Sequence, residues 1–173
     1  MKLKVFTVAF ALSLFMVASG CSKEPTSTYK DSVKTALEQA DLKDVSVSED
    51  ADKNTITLGG TLHSESAKEN AANVAKANAG NRIVVNEVSV QPVGQESEAK
   101  SIASNLDDGI ENNYKAALIS KGLDKQHIKF DAKNGVLTLK GNVKTTAQRK
   151  EAELVAQSVP NVQQVLNEID VKR

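Results

Sequence analysis

The 173-residue chain is poor in the residues that stabilise many small exported domains. It has one cysteine, no tryptophan and only 3% aromatic residues, and three of its four phenylalanines lie near the amino terminus. A single cysteine excludes an intramolecular disulfide, so packing alone has to hold the fold. The body of the chain has to build its core from valine, leucine, isoleucine and alanine.

The chain also lacks an excess of charge of either sign and any motif that carries chemistry. Its 22 basic residues balance its 22 acidic ones, and with so few aromatic residues this argues against a nucleic-acid partner. No glycine-rich phosphate loop or nucleophile elbow is present, and His63 and His127 have no further ligands at metal-binding spacing. We therefore expect no enzyme, no cofactor and no metal, and both histidines at the surface.

The first twenty residues predict a leader rather than a folded element. Two lysines precede an apolar stretch over residues 5–17, which is shorter than the ~20 residues that a spanning helix needs. Three small residues and then Cys21 follow, and this order resembles the lipobox of bacterial lipoproteins. The resemblance implies removal of residues 1–20 and a lipid on the sulfur of Cys21. An ordinary signal peptide with a chance cysteine, or a single-pass anchor, remains open.

Residues 21–28 are polar, contain a proline and predict a flexible lipidated tether. At full extension such a segment reaches about 25 Å, which would keep the first domain near the bilayer. Ser22 after the cysteine resembles the outer-membrane default of enterobacterial sorting. We expect a protein anchored by lipid to the bacterial outer membrane and facing the periplasm.

The body of the chain repeats itself. Residues 29–90 align with residues 110–171 at a constant offset of 81 without a gap, and 16 of the 62 aligned pairs are identical. Such a match predicts one folding unit used twice. The spacing of apolar residues in each unit predicts a helix, two strands, a second helix and a third strand.

Local signals define the ends of these elements. Asn134-Gly135 predicts a tight hairpin turn. Ser66 with Glu69, and Thr145 with Gln148, fit capping boxes at the starts of the second helices. Gly80 predicts the end of the second helix in the first unit. The third strands are predicted to run without interruption over Ile83–Val90 and Val162–Val171.

We therefore predict an α+β fold of two tandem αββαβ domains, each a three-stranded mixed sheet covered by two helices. The first domain spans residues 29–92, a linker residues 93–100 and the second domain residues 101–173. The leading helix of the second unit continues an apolar stripe upstream. Because a unit of about 60 residues is marginally stable alone, we expect the two small units to touch, or at least to be joined by the helix around residues 98–106.

Two motifs occur once in each unit. The second strand has the pattern aliphatic-x-Leu-x-Gly-x-aliphatic at Ile56–Leu62 and Leu137–Val143. The third has the pattern Val-x-Asn-x-aliphatic-x-Val, at 84–90 and 165–171. Together they resemble the BON domain (bacterial OsmY and nodulation) family. The resemblance implies a non-enzymatic envelope protein of a family proposed to bind phospholipid surfaces or to support the envelope under osmotic stress. We interpret the motif glycines Gly60 and Gly141 as structural.

Charge distinguishes the two units. Residues 22–92 contain 8 basic and 11 acidic residues, whereas residues 93–173 contain 12 and 11. The second unit is thus better suited to an anionic bilayer. A solvated polar face with interspersed acids is the alternative. The candidate lipid contacts are Lys121, Lys125, Lys129, Lys133, Lys140, Lys144, Arg149 and Lys150.

Two functional hypotheses follow. The first is a lipid-anchored envelope protein that binds anionic phospholipid surfaces and supports envelope integrity or osmotic stress tolerance. The alternative is a periplasmic scaffold or chaperone-like module that binds envelope proteins or peptidoglycan. Exposed edges at Val84–Val90 or Val165–Val171 could then accept a partner strand.

Overall fold

A computed structural model describes residues 28–172 of the chain. Cys21, the predicted leader and the tether up to residue 27 lie outside the described residues. The first unit contains α1 (Tyr29–Gln39), β1 (Val45–Asp50), β2 (Thr55–Leu62), α2 (Glu65–Asn78), β3 (Ile83–Asn86) and β4 (Ser89–Val90). The second contains α3 (Glu96–Ser120), β5 (His127–Lys133), β6 (Val136–Val143), α4 (Thr146–Gln157) and β7 (Gln164–Val171).

Each unit has one mixed sheet with its second strand in the centre. In the first unit β2 pairs antiparallel with β1 and parallel with β3, and β4 continues along β2. In the second unit β6 pairs antiparallel with β5 and parallel with β7. The predicted α+β class and the tandem αββαβ order are confirmed. The third strand of the first unit, predicted as continuous, is interrupted at Glu87 and Val88.

Each unit has its own core between its helices and one face of its sheet. In the first unit Leu37 of α1 and Ala75 of α2 bury themselves against Leu58 of β2. The alanines of α2 lack bulk, so this helix can lie close to the sheet. In the second unit the core contains Tyr114 of α3, whose ring meets that of Phe130 edge-on at a centroid distance of 5.0 Å. Of the three aromatic residues within residues 28–172, Tyr114 and Phe130 thus belong to the second core.

The structure confirms most of the predicted element ends, but β7 begins at Gln164 rather than at Val162, and the predicted cap of α2 is also corrected. Thr145 and Gln148 form the predicted capping box of α4. Helix α2, however, begins at Glu65, and its first turn is capped by Ser64, whose hydroxyl accepts from Ala67 N at 3.2 Å. The predicted capping box of Ser66 with Glu69 is therefore wrong. Serine is equally suitable at either position, and the two-residue difference depends on where β2 ends.

Helix α3 is much longer than its counterpart α1. It begins at Glu96, so its first five residues occupy the second part of the predicted linker 93–100. Only residues 91–95 connect β4 to the helix. The Gly94 N–H donates to the Glu96 carboxylate at 2.8 Å, which lowers the pKa of that carboxyl. The amino-terminal half of α3 extends beyond the core of its own unit.

The constant offset of 81 fails in the first strand of each unit. Val45 lies opposite Gly60 in the first hairpin, and Ile128 lies opposite Gly141 in the second, so these strands correspond at an offset of 83. The first hairpin turn has four residues, 51–54, and the second has two, 134–135. The loop before the second hairpin is one residue longer and β5 is one residue longer than β1, which together compensate for the shorter turn. A two-residue shift keeps the same side chains on the core face, so both cores remain intact.

Candidate functional site

The two units contact each other through their hairpin turns and third strands. The Glu87 carboxylate binds Lys133 Nζ at 2.7 Å, and the Glu168 carboxylate binds Lys53 Nζ at 2.9 Å. The hydrogen bond to Glu168 raises the pKa of Lys53. Asn134 Nδ2 also donates to the carbonyl oxygen of Glu87 at 2.8 Å. The expected contact between the units is present, and it is built from charged and amide side chains.

A glutamine side chain covers the outer edge of β3. Gln164 Nε2 donates to Val84 O at 2.9 Å, and its Oε1 accepts from Asn86 N at 3.4 Å. Val85 between them is fully buried, as is Val136, the neighbour of Gln164 in β6, yet neither belongs to a helix-side core. The chain itself thus occupies part of the Val84–Val90 edge that the scaffold hypothesis offers to a partner strand.

The motif glycines allow the second strand to pass close to the first. Gly141 has a φ of +109°, and a Cβ there would lie 1.9 Å from His127 O. Gly60 has a φ of +104°, and its Cβ would lie 2.2 Å from Asp44 O. No side chain fits at such distances, and positive φ is strained for residues with a Cβ. Their geometry agrees with the structural interpretation of both glycines.

The motif asparagines join the second helix of each unit to its third strand. Asn86 Nδ2 donates to Lys68 O at 3.0 Å while its Oδ1 accepts from Val88 N at 3.3 Å. Asn167 makes the same pair of bonds, to Arg149 O at 3.3 Å and from Ile169 N at 3.2 Å. Sequence reasoning missed this role. A polar residue at the same place in two otherwise aliphatic strands was the available signal.

The predicted basic residues fall into two groups. The loop after α3, the end of β6, the start of α4 and the end of β7 meet at one end of the second unit, because His127 pairs with Asn142 and Val143 with Val171. We call this end, residues 121–127, 144–150 and 170–172, the basic end. It brings together five of the eight predicted residues and adds Lys172. The five are Lys121, Lys125, Lys144, Arg149 and Lys150, all exposed.

The other three predicted residues lie on the helix-free face of the second sheet. Lys129 and Lys140 are directly opposite each other in the β5–β6 pair and are exposed. Lys133 also lies on β5, but it binds Glu87 of the first unit. Its charge is therefore compensated within the chain, and it does not contribute to the basic end.

The two units carry opposite charge at equivalent ends. The basic end contains six basic and two acidic residues, a net charge of +4. The equivalent segments of the first unit, residues 40–46, 63–69 and 89–91, contain two basic and four acidic residues, a net charge of −2. The partial positive charge of the α4 amino terminus adds to the potential of the basic end. Although the two units share one fold, an anionic ligand is therefore attracted to the basic end and repelled by the equivalent end of the first unit.

An exposed apolar side chain lies beside the basic end. Ile119, in the last turn of α3, is 57% exposed, and its counterpart in the first unit is Glu38. Leu154 on α4 is similarly exposed, and its counterpart is Asn73. Apolar residues next to basic ones suit the boundary between lipid headgroups and acyl chains.

Within residues 28–172 the structure has no group of acidic, histidine or cysteine residues that could hold a metal ion. The described helices include none that is both long and apolar enough to cross a bilayer. Both histidines are exposed, as predicted, and His63 Nδ1 lies 2.9 Å from Gln91 O.

Two αββαβ units in tandem, each with a strand glycine and a bridging asparagine, define a duplicated α+β protein. A sequence model of the BON domain matches residues 26–92 and 106–173. The chain belongs to the BON domain family. It is 31% identical over 142 residues to the osmotically-inducible protein Y of Escherichia coli strain K12, across 81% of this chain and 69% of that protein.

A comparison with solved structures found the C-terminal domain of CdsD, described as the structural protein of the type III secretion system of Chlamydia trachomatis. The match has 13% identity and a TM-score of 0.34, and it covers 80% of this chain. The chain spans 62% of the length of that structure.

Proposed function

We propose that this protein is a lipid-anchored envelope protein whose basic end binds anionic phospholipid surfaces and which supports envelope integrity under osmotic stress. Membership of the BON family and similarity to an osmotically inducible relative support the envelope and osmotic part. The observation that carries the lipid part is the reversal of charge between equivalent ends of the two units. The proposed role is non-catalytic.

Electrostatics gives the expected strength of this binding. Each basic residue held near an anionic bilayer contributes about 1 kcal/mol, screened over a Debye length. The six basic residues of the basic end can therefore support reversible binding at low salt, weakened by the two acids. The proposed lipid on Cys21 would keep the chain beside the bilayer, so that weak contacts are enough.

The test is sedimentation of residues 22–173 with liposomes of phosphatidylglycerol or of phosphatidylcholine. The chain should pellet with the anionic liposomes only and be released by high salt. Lys144→Gln with Lys150→Gln should weaken binding about 30-fold, the equivalent of about 2 kcal/mol. Equal binding to both liposomes, or to neither, would contradict the proposal.

A matched variant controls for net charge. Lys34→Gln with Lys43→Gln removes the same charge from exposed positions of the first unit. This variant should pellet with anionic liposomes as well as the unmodified chain does. If both double variants lose binding equally, total charge rather than the basic end determines the interaction.

The proposed anchor is tested in cells. Cys21→Ala in the complete chain should move the protein out of the membrane fraction, whereas Ser22→Ala should not. A Cys21→Ala protein that remains in that fraction would contradict the anchor and leave the liposome result unaffected.

A further inference from the structure

A cavity of about 590 Å³ lies between the two units, away from the basic end. Its walls come from the start of α2, from β4, from the first half of α3 and from the turn and α4–β7 loop of the second unit. This volume is typical of sites for small organic molecules. The apolar residues that line it are Val90, Pro92, Ala99, Ile102, Ala103, Leu106, Ile110 and Val162.

One wall of this cavity is a straight apolar stripe along α3. Ala99, Ile102, Ala103 and Leu106 follow each other at three- and four-residue spacing, so they share one face of the helix. The stripe continues to Ile110 and is about 16 Å long at 1.5 Å per residue. Ile102 is 60% exposed and Leu106 is 45% exposed. The helix thus presents apolar surface to the cavity that neither unit covers.

A buried ammonium group lies in the wall facing this stripe. Lys68 is only 7% exposed, and its Nζ is 3.3 Å from Asn134 O and 3.5 Å from Gln163 Oε1. Both oxygens are neutral, and none of the ion pairs within residues 28–172 includes Lys68. Burying a charge without a counter-charge is costly, so an anion at this place would be stabilised. All three residues line the cavity.

None of the acidic residues that line the cavity forms an ion pair with this ammonium. The Asp107 carboxylate accepts from Asn134 N at 2.8 Å and from Gly135 N at 3.0 Å. Glu65 and Glu98 are exposed, so their charges are screened by solvent. Their negative charges disfavour any anion in the cavity, and a dianion more strongly than a monoanion.

We propose that this cavity binds a long-chain fatty acid. Its alkyl chain lies along the α3 stripe between Ala99 and Ile110, and its carboxylate accepts a hydrogen bond from Lys68 Nζ. The single apolar stripe favours a single-chain carboxylate over a diacyl phospholipid, which carries two alkyl chains. This site is separate from the basic end and uses none of its residues.

The test is titration of residues 22–173 with a fluorescent fatty acid, followed by displacement with palmitate. We expect saturable binding of one molecule per chain. Leu106→Glu and Ile102→Glu should each abolish it, and Ile119→Glu, on the same helix but outside the cavity, should not. Lys68→Met should weaken binding at least tenfold, whereas Lys68→Arg should retain it.

The neutral monoacylglycerol of palmitic acid isolates the role of the head group. It should bind the unmodified chain and the Lys68→Met variant equally. Absence of saturable fatty-acid binding, or unchanged binding by Lys68→Met, would overturn the proposal. Lys144→Gln with Lys150→Gln should leave fatty-acid binding intact, so failure at the basic end and failure at the cavity are distinguishable. Circular dichroism of each variant verifies that it is folded. If Leu106→Glu does not fold, the result for Ile102→Glu alone tests the apolar wall.

Discussion

Glu87 and Glu168 occupy the same position in the two units, and each binds a lysine from the hairpin of the other unit. Lys133 Nζ lies 2.7 Å from Glu87, and Lys53 Nζ lies 2.9 Å from Glu168. The two glutamates are equivalent, but the lysines are not, because Lys53 lies in the turn after β1 and Lys133 is the last residue of β5. The two halves therefore contact each other through the same acidic position of the third strand and through different positions of their hairpins.

The first prediction concerns the Glu87–Lys133 pair. Glu87→Gln and Lys133→Gln should each lower the free energy of unfolding, and a double-mutant cycle should give a coupling of up to about 1 kcal/mol, since the pair is partly exposed. The coupling should decrease in high salt. Urea unfolding at two salt concentrations measures it. The Lys53–Glu168 cycle should behave alike, and zero coupling in both would show that these contacts do not stabilise the interface.

The second prediction concerns the strand glycines. Gly141→Ala should lower the free energy of unfolding by more than about 2 kcal/mol, because positive φ and the close approach of His127 O both oppose a Cβ. Gly109→Ala is the control, since it lies within α3 with nothing near its Cβ position. That change should raise stability by up to about 1 kcal/mol. Thermal and urea unfolding of both variants measure these changes. A Gly141→Ala variant as stable as the unmodified chain would exclude a structural need for Gly141.

The third prediction concerns the bridging asparagines. Asn167→Ala removes the hydrogen bonds to Arg149 O and from Ile169 N, so it should cost about 1–3 kcal/mol of the free energy of unfolding. Asn167→Asp keeps the acceptor but places a carboxylate beside the Arg149 carbonyl oxygen, and it should not restore stability. Hydrogen exchange at Ile169 N should accelerate in Asn167→Ala. Protection as strong as in the unmodified chain would refute the bridge.

The fourth prediction concerns pH. Burial raises the pKa of the Tyr114 phenol well above its ordinary value of 10.0, and its hydroxyl donates to Ala152 O at 3.2 Å. The folded chain keeps this proton at pH values where the unfolded chain loses it. The contribution to stability is therefore full below about pH 10 and decreases as pH rises above it.

The variant Tyr114→Phe tests the direction of this pH dependence of stability. At pH 7 the variant should be less stable by about 1 kcal/mol, the contribution of one hydrogen bond. Between about pH 9 and 11 the unmodified chain should lose more stability than the variant does. Urea unfolding across this range measures the difference. Parallel pH profiles would mean that Tyr114 ionises without unfolding.

Periodicity and turn chemistry were enough to predict the element order, because both cores follow helical and strand spacing in two independent copies. Asn134-Gly135 identified its turn, since both residues adopt positive φ there, at 49° and 82°. The cap of α2 was missed because Ser64 and Ser66 are chemically equivalent candidates. The register of the first strands was missed because a shift of two residues preserves the alternation on which a sequence alignment depends.

The site was less predictable than the fold. The count of charged residues identified the second unit as the more basic one. Only the topology shows that residues from four separate segments meet at one end of it. Lys133 was grouped with the others because charge alone does not reveal its bond to Glu87 across the interface. The bonds of Gln164 to β3 and the burial of Lys68 depend on how the units pack, and the sequence contains no periodic signal for either.

The register difference between the two first strands determines what each unit presents at the ends of that strand. Relative to β1, β5 is displaced by one full pleat, which keeps the layer of buried side chains on the same face. The two-residue turn after β5 places Asn134 against Glu87 of the other unit, and the loop before β5 carries Lys125 at the opposite end of the strand. Two copies with one buried layer therefore present different side chains at both ends of the same strand.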